Sequence, residues 1–93
     1  MNFTLTLAKD LPPIQPNALV ELEVNEWVEI PEDKLAVFFL RDSFNRLGLD
    51  ALNFKADPMF KGIPKGIVVH NRSPNLIELV KGKEIGELWL LAL

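Results

Sequence analysis

The sequence predicts an all-β fold, a distorted sandwich or barrel with one short helical turn, and two observations carry that prediction. Residues 18–30, ALVELEVNEWVEI, alternate apolar and polar side chains with the period of a strand that has one wet face. Clusters rich in Pro, Gly, Asn and Asp recur every ~8–12 residues between short apolar runs, the spacing of an antiparallel sandwich or barrel.

Taken in order, Phe3, Leu5 and Leu7 mark an N-terminal strand. In 18–30, Ala18, Val20, Leu22, Val24, Val28 and Ile30 share the inward face. Glu26 interrupts that face and Trp27 interrupts the polar one. The span is long for one strand, which points to a bend or bulge near Asn25. A carboxylate on an apolar face needs a partner, and the expectation for Glu26 is a salt bridge with an arginine. Pro31-Glu32-Asp33-Lys34 is turn chemistry, and 35–40 (LAVFFL) is continuously apolar, as in a strand covered on both faces.

Next comes a polar cluster, RDSFNRLG, directly after that strand. Asp42 or Ser43 is placed to N-cap one helical turn, with Phe44 and Leu47 facing inward and Gly48 ending it. Leu52, Phe54 and Ala56 alternate with Asn53 and Lys55 in a strand that stops at Asp57-Pro58. Residues 62–66 form a turn, 67–69 a strand, 71–75 a loop, 76–80 a strand, 81–83 a turn and 85–93 a last strand. That last strand is apolar on both faces, with Leu88, Leu90 and Ala92 on one and Trp89, Leu91 and Leu93 on the other. Either the chain's own N-terminal strand covers it or, as expected here, a second chain supplies part of the cover.

The 93 residues make one domain, 1–93, with 48% hydrophobic and 25% charged residues. The net charge is −3 and no two basic residues are adjacent, which argues against nucleic-acid or membrane-surface binding. Without cysteine, and with His70 alone, disulfides are excluded and a protein-held metal site is not expected. The N-terminus lacks a basic region followed by an apolar block, and no apolar run reaches the ~20 residues of a bilayer span. The expected location is the cytoplasm.

Read together, EWVEIPEDKLAVFFLRDSFNRLGL, ADPMFKG and GIVVHNRSPNLIELVKGKEIGELWL resemble the dUTP pyrophosphatase and dCTP deaminase superfamily. The matching positions are Glu26, Val28, Ile30 and Pro31, then Arg41, Ser43, Arg46 and Gly48. Asp57, Phe60 and Gly62 follow, then Asn71, and finally Gly82, Ile85 and Leu88. The resemblance implies a β-clip or jelly-roll-like fold, a homotrimer with sites between subunits, and a deoxynucleoside triphosphate carrying Mg²⁺ on its phosphates. It makes Asp57 the carboxylate that positions or deprotonates water, or contacts the sugar. By the same carry-over Phe60 is the aromatic under the deoxyribose, and Arg41, Ser43 and Arg46 are phosphate contacts.

Each has a plainer reading. Asp57 is a turn starter, and Arg41 and Arg46 are ion-pair partners of Asp42, Asp50 or Glu26. Three departures weigh on the function. Asp42 stands where the family places the first serine of its phosphate-binding segment, and Val68 stands where the deaminases carry a catalytic glutamate. Through Leu93, no glycine-rich arm of the kind the pyrophosphatases fold over the triphosphate is visible. The expectation is a short, degenerate, self-associating domain with weak or no nucleotide hydrolysis. The alternative is an active Mg²⁺-dependent, dUTP-type pyrophosphatase, a hydrolase with sites at subunit interfaces.

Overall fold

A computed structural model of the chain describes residues 2–93. Its longest strand, β9 (Glu84–Ala92), lies inside the larger sheet with another strand paired along each of its edges. The elements are β1 (Asn2–Thr6), β2 (Leu19–Leu22), β3 (Val28–Glu29), β4 (Lys34–Leu40), α1 (Asp42–Leu47) and β5 (Leu49–Ala51). They continue with β6 (Lys55–Ala56), β7 (Lys61–Gly62), β8 (Ile67–Asn71) and β9. One sheet has the order β1-β9-β4-β6, a second β2-β8-β5, and β3 pairs with β7 as a small ribbon. Every pairing is antiparallel. This is the all-β sandwich that the alternation and turn spacing predict, in the distorted, jelly-roll-like form that the resemblance implies.

Leu5, Leu7, Ala36, Phe38, Ile85 and Leu88 from the larger sheet meet Leu22, Leu49, Ile67 and Val69 from the smaller one in a single core. Each side chain of this size contributes about 1.5–3 kcal/mol when fully buried. The segment 18–30 splits, as its length implies. Val24 bridges to Leu7, and Asn25 donates its backbone N–H to the Thr6 carbonyl, so the chain leaves β2 and re-forms a strand only at Val28. Its inward alternation holds, with Leu22, Val24, Val28 and Ile30 buried. Glu26 takes no arginine. Its carboxylate accepts hydrogen bonds from the Thr6 backbone N–H (2.8 Å) and hydroxyl, so two neutral donors satisfy it.

Several further expectations are corrected. Residues 35–40 are not covered on both faces: Ala36, Phe38 and Leu40 are buried, while Phe39 is 49% exposed. Arg41, not Asp42 or Ser43, is the N-cap of α1, without a side-chain cap; Asp42 and Ser43 already have helical geometry. Phe44 packs inward, but Leu47 faces outward, because six helical residues bury only one turn's inner position. Gly48 ends the helix in the left-handed region at φ 103°, as its position predicts. The strand expected over 52–56 shrinks to β6, and Leu52 is exposed. Residues 76–80 form a single bridge, Ile77 to Ile14, although Ile77 and Leu79 still point inward.

β1 does lie beside β9, with Phe3 opposite Leu88 and Leu5 opposite Gly86. It covers an edge, not a face. On the outer face of the larger sheet Leu35 stands opposite Leu91 and Val37 opposite Trp89, and the Phe39 and Trp89 rings lie 5.2 Å apart. Among the described residues no helix is long and apolar enough to cross a membrane.

Candidate functional site

The side chains that the sequence singles out fall into two groups at opposite ends of β4. At the C-terminal end the chain passes from the strand through Arg41 into α1. The Arg41 N–H donates to the Ile85 carbonyl (2.8 Å), which fixes the residue against β9. Its guanidinium reaches Glu84 at 3.1 Å. Arg46 meets Asp42 one helical turn back, at 2.9 Å, and Ser43 is exposed on the same helix. Of the ion pairs the sequence allows for these two arginines, Arg46–Asp42 forms, while Arg41 takes Glu84 instead. Asp50 is held by Arg72, whose Nε donates to it at 2.7 Å. The shallow cavity beside Arg41 is lined by one arginine and by Asp42, Glu84 and Glu87, a net −2. An anion is repelled there.

At the other end, β6 pairs Ala56 with Ala36, so Asp57 follows at the level of Leu35. Asp57-Pro58-Met59-Phe60 is a tight turn in which the Phe60 N–H donates to the Asp57 carbonyl (3.1 Å). Proline at its second position and a positive φ of 71° at Met59 give it type II character, with methionine where glycine is the usual choice. The turn is strapped to Ile30: the Met59 N–H donates to the Ile30 carbonyl (3.0 Å) and the Ile30 N–H to the Phe60 carbonyl (2.8 Å). Two matching segments of the resemblance, around Ile30 and Phe60, therefore meet in space. Asp57 and the half-buried Phe60 line a cavity of about 520 Å³ with Lys55, Lys61 and Lys65.

The register sets the separation of the two groups. Six strand residues from Leu35 to Arg41, at about 3.3 Å each, put Asp57 roughly 20 Å from Arg41. One chain thus brings Asp57 together with Phe60, and Arg41 together with Ser43 and Arg46, but does not bring the two sets together. Among the described residues no three His, Asp or Glu side chains gather in a way that could hold a metal ion.

Other matching positions hold the fold. Asn71 ends β8 wholly buried. Its Nδ2 donates to the Ile14 and Asn75 carbonyls (2.9 and 2.7 Å), and its Oδ1 accepts from the Ser73 N–H and hydroxyl (3.0 and 2.7 Å). Gly48 sits where a Cβ would come within 2.7 Å of the Ser73 Cβ. Val68, which the resemblance aligns with a deaminase glutamate, is half-buried opposite Glu21. Sequence reasoning did not find Glu84 as the partner of Arg41, nor the lysines around Phe60. Glu84 lies 43 residues from Arg41 and meets it only through the pairing of β4 with β9, whereas the lysines flank the local turn at 57–60.

The sequence comparison supplies the family. The dCTP deaminase-like family model matches residues 5–93, and the chain belongs to that family. A comparison with curated proteins gave no match.

Proposed function

We propose that this chain is a self-associating dCTP deaminase-like domain with weak or no nucleotide hydrolysis. One observation carries the reading: in a single subunit both arginines at the phosphate positions are bound to carboxylates, about 20 Å from Asp57 by strand register. Phosphoryl-group hydrolysis needs a carboxylate to orient water and cations on the phosphate oxygens at one place. Here the cations are matched by acids and the water-activating candidate is elsewhere. Valine at position 68 removes the group that family deamination requires.

Self-association, as a trimer by the resemblance, is supported by the outer sheet face, where Phe39, Trp89, Leu91 and Leu93 are each more than 40% exposed. A second reading, an Mg²⁺-dependent dUTP-type pyrophosphatase completed between subunits, is favoured by one observation: Asp57 and Phe60 share a cavity.

Pyrophosphate release from dUTP and dCTP with Mg²⁺ separates the two. The expected result is release at the uncatalysed rate, unchanged in Asp57→Asn. Release that falls about 100-fold or more in that variant would establish the second reading and refute the first.

A further inference from the structure

We infer that residues 11–16 form a docking segment for a partner that reads polyproline II helices in an aromatic-lined groove, as SH3 domains do. The stretch is Leu11-Pro12-Pro13-Ile14-Gln15-Pro16. It is neither helix nor strand apart from the single bridge at Ile14. Its burial has a period of three: Leu11 packs against the core and Ile14 is buried, while Pro12, Pro13, Gln15 and Pro16 are exposed. Three residues per turn is the repeat of a polyproline II helix, whereas a strand alternates every two. Such a helix has three ridges. Here the ridge of Leu11 and Ile14 lies on the body, and the ridges of Pro12 with Gln15 and of Pro13 with Pro16 face water.

Residue type sets this backbone and the fold holds it. Proline fixes φ at about −65° at 12, 13 and 16, and the residue before a proline is pushed into the extended region, which covers 11, 12 and 15. Pro16 opens a turn in which the Ala18 N–H donates to the Gln15 carbonyl (3.1 Å) and Asn17 has φ 66°. That is a type II turn, whose second residue also has ψ of about +120°. Ile14 is the anchor. Its N–H donates to the Ile77 carbonyl (2.8 Å), and its own carbonyl accepts from the Ile77 N–H (3.2 Å) and Asn71 Nδ2 (2.9 Å). At one end Asp10 accepts from the Lys81 N–H (2.7 Å), and at the other the Asn17 N–H donates to the Asn71 carbonyl (2.7 Å). The segment is therefore fixed before a partner arrives, which lowers the ordering cost of binding. The Pro12, Pro13 and Pro16 carbonyls accept nothing among the described residues, so they are open to the hydroxyl and indole N–H donors of an aromatic groove. Pro13 and Pro16 stand about 9 Å apart along the axis, the Pro-x-x-Pro spacing that such grooves read. The antiparallel bridge puts Leu76, 56% exposed, beside Gln15, which widens the apolar contact. This surface shares no residue with either group of the candidate site and stands independently of the nucleotide reading.

The test is titration of the ¹⁵N-labelled chain with a panel of SH3 domains. The expected result is saturable binding to at least one of them, with a Kd below about 0.5 mM. The shifts should be confined to the segment and to the residues that hold it, Asn71 and those around Ile77. Pro13→Ala/Pro16→Ala should weaken binding about 10-fold or more, with spectral dispersion unchanged because both rings are exposed. Gln15→Pro puts a proline on the second exposed ridge. The Gln15 N–H donates to nothing among the described residues, so this substitution should tighten binding about 3-fold. Prolines that served only to stiffen the loop would change the melting temperature in these variants and leave binding as it was. If the double variant loses its dispersion, Pro12→Ala, outside both the turn and the bridge, takes its place, with an expected loss of about 3-fold. No domain bound below about 0.5 mM, shifts centred elsewhere, or binding unmoved by the proline variants would overturn the proposal.

Discussion

Gly86→Ala is expected to remove about 3 kcal/mol or more of folding stability, the cost of severe overpacking at a site that cannot relax. A Cβ on Gly86 would lie 2.3 Å from the Phe39 carbonyl oxygen and 2.8 Å from two atoms of the Phe38 ring. Neither neighbour can give way easily. Phe39 belongs to β4, held against β9 along seven residue pairs, and Phe38 is packed into the core. A domain of this size has about 5–14 kcal/mol in total, so the loss takes a large share of it. The melting temperature should fall by roughly 12–24 °C. Gly82→Ala is the control, because nothing lies within 4 Å of its Cβ and only its φ of 84° opposes a side chain. That substitution should cost about 1 kcal/mol. Equal losses at the two glycines would contradict the packing described for β4 and β9.

Asn71→Asp is expected to cost about 3–5 kcal/mol at neutral pH, more than Asn71→Ala. The amide is used completely: two donated bonds reach carbonyls in separate loops, and two accepted bonds come from Ser73. Aspartate keeps the acceptor side but turns a carboxylate oxygen toward the Ile14 and Asn75 carbonyls inside a fully buried site. Alanine forfeits the same bonds without burying a charge. Urea denaturation of the two variants gives the comparison, with the m-value checking that both unfold as one unit. Aspartate tolerated as well as alanine would mean that the site is wetter than its burial indicates.

Much of the architecture was legible in the residues. Alternation over 18–30 located four core side chains correctly even though the span is two strands, because facing is set locally while strand continuity depends on what lies alongside. Residue 25 leaves the ladder to bond the end of β1 and the residue after it, partners 18 and 19 positions away that no local pattern shows. The run LAVFFL read as doubly buried, since apolar composition looks the same whether a face is covered by the chain itself or left open. Glu26 was recognised as needing a partner, but Thr6 was not, since a backbone N–H and a hydroxyl carry no charge to search for.

The candidate site was legible only in halves. Arg41, Ser43 and Arg46 stand close in sequence and remain close in space, and so do Asp57 and Phe60. Which half carries an unmatched positive charge depends on Glu84, which reaches Arg41 only through the pairing of β4 with β9.

The proposed self-association rests on the open sheet face, because only a second subunit can cover the row from Leu35 to Trp89. Sedimentation equilibrium of the wild-type chain beside Phe39→Lys/Trp89→Lys tests it most directly. The account predicts a defined oligomer for the wild type and a folded monomer for the double variant, since two buried charges without partners oppose the contact. A wild-type chain that stays monomeric at high concentration, or a double variant that assembles unchanged, would contradict it.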